Sequence, residues 1–221
     1  MMPLLTALSS VGRASALYAP GPTFESWRAD KYMPDSEFKI EFATAADVPG
    51  ILAVQESVLL ANKDLDQGPG KSGFIALRVS KESIEQAVAD NGNDFFLAVA
   101  KNEGGNVIGY FLTYDMDKWL ELHREWMAET GIDLALIKGN KVMYGKHLAS
   151  NRTIPKVGRA LDTFLYKFAQ ERGYNLFIAE ICEEPVRNRK SIDLHTAEFD
   201  LKRIGENKGP HYTFGVYAKD L

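Results

Sequence analysis

Pro155-Lys-Val-Gly-Arg-Ala160 joins a strand-like run, Lys141 to Ser150, to a helical one, Gly158 to Arg172, which sets Ala160, Leu161, Phe164, Leu165 and Phe168 on one face. At such a strand-to-helix turn Gly158 lets the chain approach a ligand closely, and successive backbone N–H groups open onto the helix N-terminus. Unpaired donors and the positive end of the helix dipole converge there, which favours phosphate. Lys156 and Arg159 add cationic side chains, with Arg152 close by in sequence. A diphosphate ligand accounts for the whole set.

Reading outward from this turn gives an α/β (α+β) chain. Phe38 to Phe42 alternates as a half-buried strand, and Thr44 with Asp47 resembles a helix-capping pair for a helix carrying Val48, Ile51, Leu52, Val58 and Leu59. A polar, Gly-rich loop runs from Asn62 to Gly73, and Ser80 caps a second helix through Ile84, Ala87 and Val88. Asp94 to Lys101 and Val107 to Tyr114 form an antiparallel hairpin through a Gly-rich turn. Trp119, Leu120, His123, Trp126 and Met127 predict one amphipathic helix over residues 116–129, ended by Gly131. Beyond the phosphate-favouring turn, Asn175 to Cys182 reads as a buried strand and Asn188 to Ala197 as a short helix. Phe199 to Arg203 and His211 to Ala218 read as closing strands. The order β-α-α-β-β-(α)-β-α-β-α-β-β describes a single domain with a mixed sheet.

Composition limits what such a domain does. The 221 residues suit one buried core, beginning near Glu37 after a poorly ordered or loosely packed extension over residues 1–36 that Pro and Gly interrupt. A formal charge of −4 argues against broad nucleic-acid binding, and no stretch approaches a membrane span. With Cys182 as its sole cysteine the chain forms no internal disulfide, and a cytoplasmic address is expected. Cys182 itself reads as a small buried hydrophobe at a strand end.

A second stretch, Glu180-Ile-Cys-Glu-Glu-Pro-Val-Arg-Asn188-Arg-Lys-Ser191-Ile-Asp-Leu-His195, places Asn188, Ser191 and His195 on one helical face after a strand and a proline. Together the two stretches resemble the GNAT superfamily of acetyl-CoA-dependent N-acetyltransferases, over about residues 37 to 218. That family holds the CoA pyrophosphate at a turn Arg/Gln-x-x-Gly-x-Gly/Ala. Gly158 and Ala160 match the pattern, while Pro155 departs from it. The resemblance implies a mixed, mostly antiparallel sheet flanked by helices, with acetyl-CoA as cosubstrate and no metal. It assigns CoA contacts to Leu148, Ala149, Ser150, Pro155, Lys156, Val157, Gly158, Arg159, Ala160, Asn188 and Ser191. A backbone N–H near Leu148 to Ser150 would polarise the thioester carbonyl. His195 would protonate the departing thiolate, and Glu180, with His147 as a second candidate, would take the amine's proton.

Where many relatives follow this helix with Gly-Phe, the chain reads Glu198-Phe-Asp-Leu-Lys-Arg-Ile-Gly205. In this superfamily acceptor choice resides in the loop over residues 62–74 and in the region 115–141. Here Trp119, Trp126, Asp117 and Glu121 suit a partly apolar cleft for a cationic amine, small or peptidic. A homodimer through a sheet edge is a further expectation of the resemblance. Two readings stay open beside the enzyme: a module that binds CoA or another phosphorylated metabolite without turnover, and an interaction domain without a ligand.

Overall fold

The computed structural model describes residues 37–63 and 73–221; the N-terminal extension and most of the Gly-rich loop lie outside the described residues. Period-two alternation sets β1 (Phe38–Phe42), which buries Phe38 and Ile40 and exposes Lys39 and Glu41. Asp47 accepts from the backbone N–H and hydroxyl of Thr44, at 2.9 and 2.8 Å, and so fastens the start of α1 (Val48–Val58). Ser80 accepts from the Ser83 N–H and caps α2 (Lys81–Ala89) as its position predicts.

Strands β2 (Phe95–Asn102) and β3 (Val107–Asp115) form the predicted hairpin, and β4 (Val142–Ser150), β5 (Leu176–Glu184), β6 (Lys202–Lys208) and β7 (Thr213–Asp220) extend it. The sheet order is β1-β2-β3-β4-β5-β7-β6. Every neighbouring pair is antiparallel except β4 with β5, which is why α6 (Val157–Glu171) is needed as a crossover between them. Alternate residues of the inner strands feed two cores. Leu97, Val99, Tyr110, Leu112, Tyr144 and Ile178 pack beneath α1 and α2, while Phe96, Ala98, Phe111, Met143 and Phe177 pack beneath α6. The fold is therefore the mixed, mostly antiparallel α/β domain expected. Among the described residues no helix is long and apolar enough to cross a membrane.

Two elements differ from the sequence expectation. The helix predicted over residues 116–129 is split into α3 (Met116–Leu122) and α4 (Trp126–Thr130), followed by the short α5 (Leu134–Ile137). His123 leaves helical geometry at φ −132°, ψ 65°. The Trp119 ring then stacks on Tyr144 at 4.0 Å and lies tilted against His123 at 3.7 Å, while Trp126 meets Tyr144 edge-on at 5.7 Å. Packing two indoles on one tyrosine overrides the helical periodicity. The strand expected from Phe199 instead begins at Lys202. Asp200 turns left-handed at φ 56° and the Leu201 N–H returns to the His195 carbonyl at 3.0 Å. This closes a π-turn over Leu194–Glu198 that follows α7 (Arg189–Asp193).

The site-defining feature is the parting of β4 from β5. Their ladder runs only from Val142 opposite Leu176 to Gly145 opposite Ala179, and beyond it the two strands diverge. At the same level β4 bulges against β3, because Leu112 pairs with His147 and Thr113 with Gly145, leaving Lys146 as the extra residue. Gly145 admits no side chain here: a Cβ would lie 2.5 Å from the Phe177 ring. Gly145→Ala is therefore expected to cost about 1–3 kcal/mol through overpacking. For a domain of this size the unfolding midpoint should fall by roughly 3–10 °C, as checked by thermal denaturation followed by circular dichroism.

Candidate active site

Two adjoining hollows lie at the wedge between the diverging strands. The outer one, about 380 Å³, is bounded by the end of β4 and the start of α6, and the inner one, about 280 Å³, by β4, β5, α3 and α4. Phe74, Leu148 and Ser191 line both, so the two hollows adjoin across these residues.

The outer hollow is built on the turn Pro155 to Arg159. Lys156 adopts the left-handed conformation, φ 67°, and the first helical hydrogen bond runs from the Ala160 N–H to the Lys156 carbonyl at 3.0 Å. The N–H groups of Val157, Gly158 and Arg159 thus precede the helical ladder and are left for another acceptor. A Cβ on Gly158 would meet no atom within 4 Å, so protein packing leaves that position free toward the hollow. Arg152, Lys156, Arg159 and Lys190 all line the space. Arg152 donates to the Gly73 carbonyl at 2.6 Å, and burial together with the Arg152 charge lowers the pKa of Lys63. These cations have Glu198 as the facing carboxylate, which the Arg159 guanidinium grips with two nitrogens. Arg159, expected to offer a free charge, is thereby neutralised, and the offered charge rests with Arg152, Lys156 and Lys190.

The inner hollow centres on Glu180, the first β5 residue past the paired ladder. Its Oε1 accepts from Trp126 Nε1 at 2.9 Å and Asn207 Nδ2 at 2.8 Å, and its Oε2 accepts from Tyr144 at 2.6 Å. Burial and the Glu180 charge hold the Tyr144 phenol protonated, far above the ordinary tyrosine range. The bulge turns Lys146 and His147 toward the same side. Lys146 lies 4.8 Å over the Trp119 ring, with its pKa lowered by burial against the opposing pull of Glu180. His147 is buried, with Nδ1 3.0 Å from the Tyr110 hydroxyl; burial and Lys146 pull its pKa to about 3. It stays a neutral imidazole and a poor base. His123 also lines the hollow, its pKa lowered by burial and then by Lys146. Burial raises the Cys182 thiol to about 11, so it remains protonated.

The helix-borne trio departs from expectation in detail. Asn188 donates to the Phe74 carbonyl at 2.7 Å and accepts from the Ser191 N–H at 3.3 Å, so its amide ties the loop end to α7 instead of facing the groove. His195 is 4% exposed. Its Nδ1 faces the Ser191 carbonyl at 2.7 Å and its Nε2 faces Asp162 of α6 at 3.6 Å. Ser191 stands at the junction of the two hollows. Leu148, Ala149, Ser150, Pro155 and Val157 line the outer hollow as their positions suggested, whereas Ala160 is packed in the core beneath α6. Sequence reasoning missed Tyr144, Asn207, Lys146 and Asp162. The bulge that turns Lys146 toward the inner hollow has no sequence signature, and Asp162 looks like any polar residue of an amphipathic helix. Among the described residues no group of His, Cys, Asp and Glu suits a metal ion.

No family model matches the sequence, and no curated protein is significantly similar to it. Solved structures do match. PaiA N-acetyltransferase of Thermoplasma acidophilum, in complex with coenzyme A, is 12% identical at a TM-score of 0.56, over 84% of this chain and 100% of that one. Ribosomal-protein-alanine N-acetyltransferase of Brucella melitensis is 21% identical at 0.53, over 82% and 99%. NAA60 of Arabidopsis thaliana, in complex with acetyl-CoA, is 12% identical at 0.56, over 83% and 98%. The sheet order, the parting of β4 from β5 and the helix start beside it agree with this likeness: the chain has the fold of the GNAT N-acetyltransferases.

Proposed function

We propose that this chain transfers the acetyl group of acetyl-CoA to a primary amine by direct attack within a ternary complex. The observation that carries the reading is the adjacency of the two hollows, which share Phe74, Leu148 and Ser191. A cationic helix start at one end runs, past Leu148 and Ser191, into a cleft that the diverging strands open beside Glu180. The fold neighbours that hold CoA or acetyl-CoA support it.

Under this reading the amides of Val157, Gly158 and Arg159, with Lys156, Arg152 and Lys190, hold the diphosphate. Leu148, Ala149 and Ser150, past the end of the ladder with β5, would hold the pantetheine arm through their free backbone groups. Bound there, acetyl-CoA supplies the activated acyl group.

The acceptor amine enters from the α3 and α4 side, between the aromatic wall of Trp119, Trp126 and Tyr144 and the Glu180 carboxylate. Three donors already hold Glu180 in place, and Oε2 keeps a lone pair for the amine or for a water that relays its proton. A protein N-terminus and a small amine both fit this description. A reducing compartment such as the cytoplasm is consistent with the unpaired Cys182.

The second reading, a module that binds CoA without turnover, draws on the inward-facing nitrogens of His195. Two measurements separate it from the enzyme. Acetyl-CoA at ~100 times its dissociation constant should add about 2.7 kcal/mol and raise the unfolding midpoint by roughly 5–10 °C, against a charge-matched nucleotide that does not. The absence of any rise at millimolar ligand removes both CoA readings. Release of thiol from acetyl-CoA across a panel of primary amines then reports turnover. Glu180→Gln should lower kcat by about 10²–10⁴-fold while leaving the acetyl-CoA-induced rise in midpoint intact. An unchanged kcat would remove Glu180 as the base.

A further inference from the structure

Asp162 is fully buried in α6, and neither of its carboxylate oxygens has a hydrogen-bond partner; the nearest compensating group is His195 Nε2 at 3.6 Å. Tyr166, one turn further along α6, also has a buried hydroxyl without a partner, and the Asp162 charge adds to the burial that keeps it protonated. An isolated carboxylate in such a place is unfavourable, and His195 is the charge partner that the fold sets against it.

The tautomer follows from the other side of the ring. His195 Nδ1 lies 2.7 Å from the Ser191 carbonyl, an acceptor, so Nδ1 carries a hydrogen. Were the imidazole neutral, Nε2 would turn a bare lone pair toward the Asp162 carboxylate. The stable arrangement is an imidazolium with Nε2–H toward Asp162 and Nδ1–H toward Ser191. Against the cost of burial, the Asp162 charge and the Ser191 carbonyl hold the His195 pKa above its ordinary value. With both nitrogens so engaged, His195 has no N–H left to offer the groove. Its Nδ1, however, is also 3.3 Å from the Ser191 hydroxyl, and Ser191 lines both hollows.

We propose that Ser191 is the group that protonates the departing CoA sulfur, with His195 behind it as proton source and Asp162 as the residue that positions and charges His195. The assignment rests on the acetyltransferase reading above. As the amine nitrogen bonds to the acyl carbon, the carbon–sulfur bond breaks and sulfur leaves with the electron pair. Sulfur takes the Ser191 Oγ hydrogen, and Ser191 regains one from His195 Nδ1. The imidazole is left neutral, with Nε2–H on Asp162 and a bare Nδ1 facing the Ser191 carbonyl. That repulsion favours return of the proton given up by the amine, which restores the starting state.

The test uses CoA itself and needs no acceptor. The thiol of bound CoA is titrated by its thiolate absorbance in wild type, Ser191→Ala, Ser191→Thr and Asp162→Asn, beside the CoA dissociation constant of each and the imidazole ¹⁵N spectrum of His195. A hydroxyl donating to ionised sulfur should lower the bound thiol's pKa by about one unit. Ser191→Ala should abolish the shift, Ser191→Thr should retain it and Asp162→Asn should diminish it, each read at a CoA concentration that saturates that variant. His195 should be doubly protonated at neutral pH in wild type and singly protonated in Asp162→Asn. Equal thiol pKa values in wild type and Ser191→Ala, or a neutral His195 in wild type, would overturn the relay while leaving the CoA reading standing. Failure of wild type to bind CoA overturns the acetyltransferase reading itself.

Discussion

The rest of the structure depends on the interruption of one hydrogen-bonded ladder. After Gly145 and Ala179 the only parallel pair of the sheet comes apart, and the backbone groups along the facing edges of β4 and β5 lose their partners in the middle of the sheet. Such groups are normally paired or solvated, because an orphaned donor or acceptor costs as much as a lost hydrogen bond. The interruption is imposed by neighbours on both sides. On one face Phe177 fills the space that a side chain on residue 145 would take; on the edge toward β3 an extra residue, Lys146, bends β4 away. The wedge is then propped open by polar bonds across it. Tyr144 reaches from β4, Trp126 from α4 and Asn207 from β6 to the same carboxylate on β5.

Charge follows from this geometry. The chain is acidic overall, yet the outer end of the wedge gathers Arg152, Lys156 and Lys190 around a helix start whose first amides point the same way. A local field of that kind, on a molecule of opposite net charge, marks a ligand with concentrated negative charge rather than an extended polyanion. The inner end is different in kind: a single carboxylate held by three donors, aromatic walls, and a lysine lying over an indole. One groove with an anion cradle at one end and an amine-compatible end at the other has the polarity that transfer from a phosphorylated carrier to an amine requires.

Much of the fold was legible because period two and period 3.6 are strong signals where an element buries one face. The strand from Phe38, the Ser80 cap, the hairpin through β2 and β3, and α6 all appear where the pattern places them. The reading failed where tertiary contacts outbid local periodicity. Trp119 and Trp126 share helical spacing, but both pack on Tyr144, and the chain breaks at His123 to allow it. The start of β6 slipped because Leu201 returns a hydrogen bond to His195, which no composition signal records. Within the site, most positions carried over by motif line the two hollows, but side-chain direction did not follow from spacing. Asn188 and His195 share a helical face with Ser191, yet both turn their polar atoms into the protein. Their partners, Phe74 and Asp162, lie far away in sequence, beyond the reach of any local pattern.

The Asp162 and His195 pair is a poor way to stabilise a domain. A buried ion pair whose carboxylate oxygens both lack a hydrogen-bond partner recovers little of its desolvation cost, and two apolar side chains of similar volume would serve the α6 core as well or better. The core beneath α6 is otherwise apolar, with Phe164, Leu165, Phe168 and Ile192 packed in it. The local backbone is likewise unusual: the helix carrying His195 widens into a π-turn, which aims the imidazole down onto α6 while Ser191, one turn earlier, stays at the groove. A charge pair, an irregular turn and a groove-lining hydroxyl in one chain of contacts are three departures from the most stable arrangement. Stability accounts for none of them singly, and a proton delivered at the junction of the two hollows accounts for all three together.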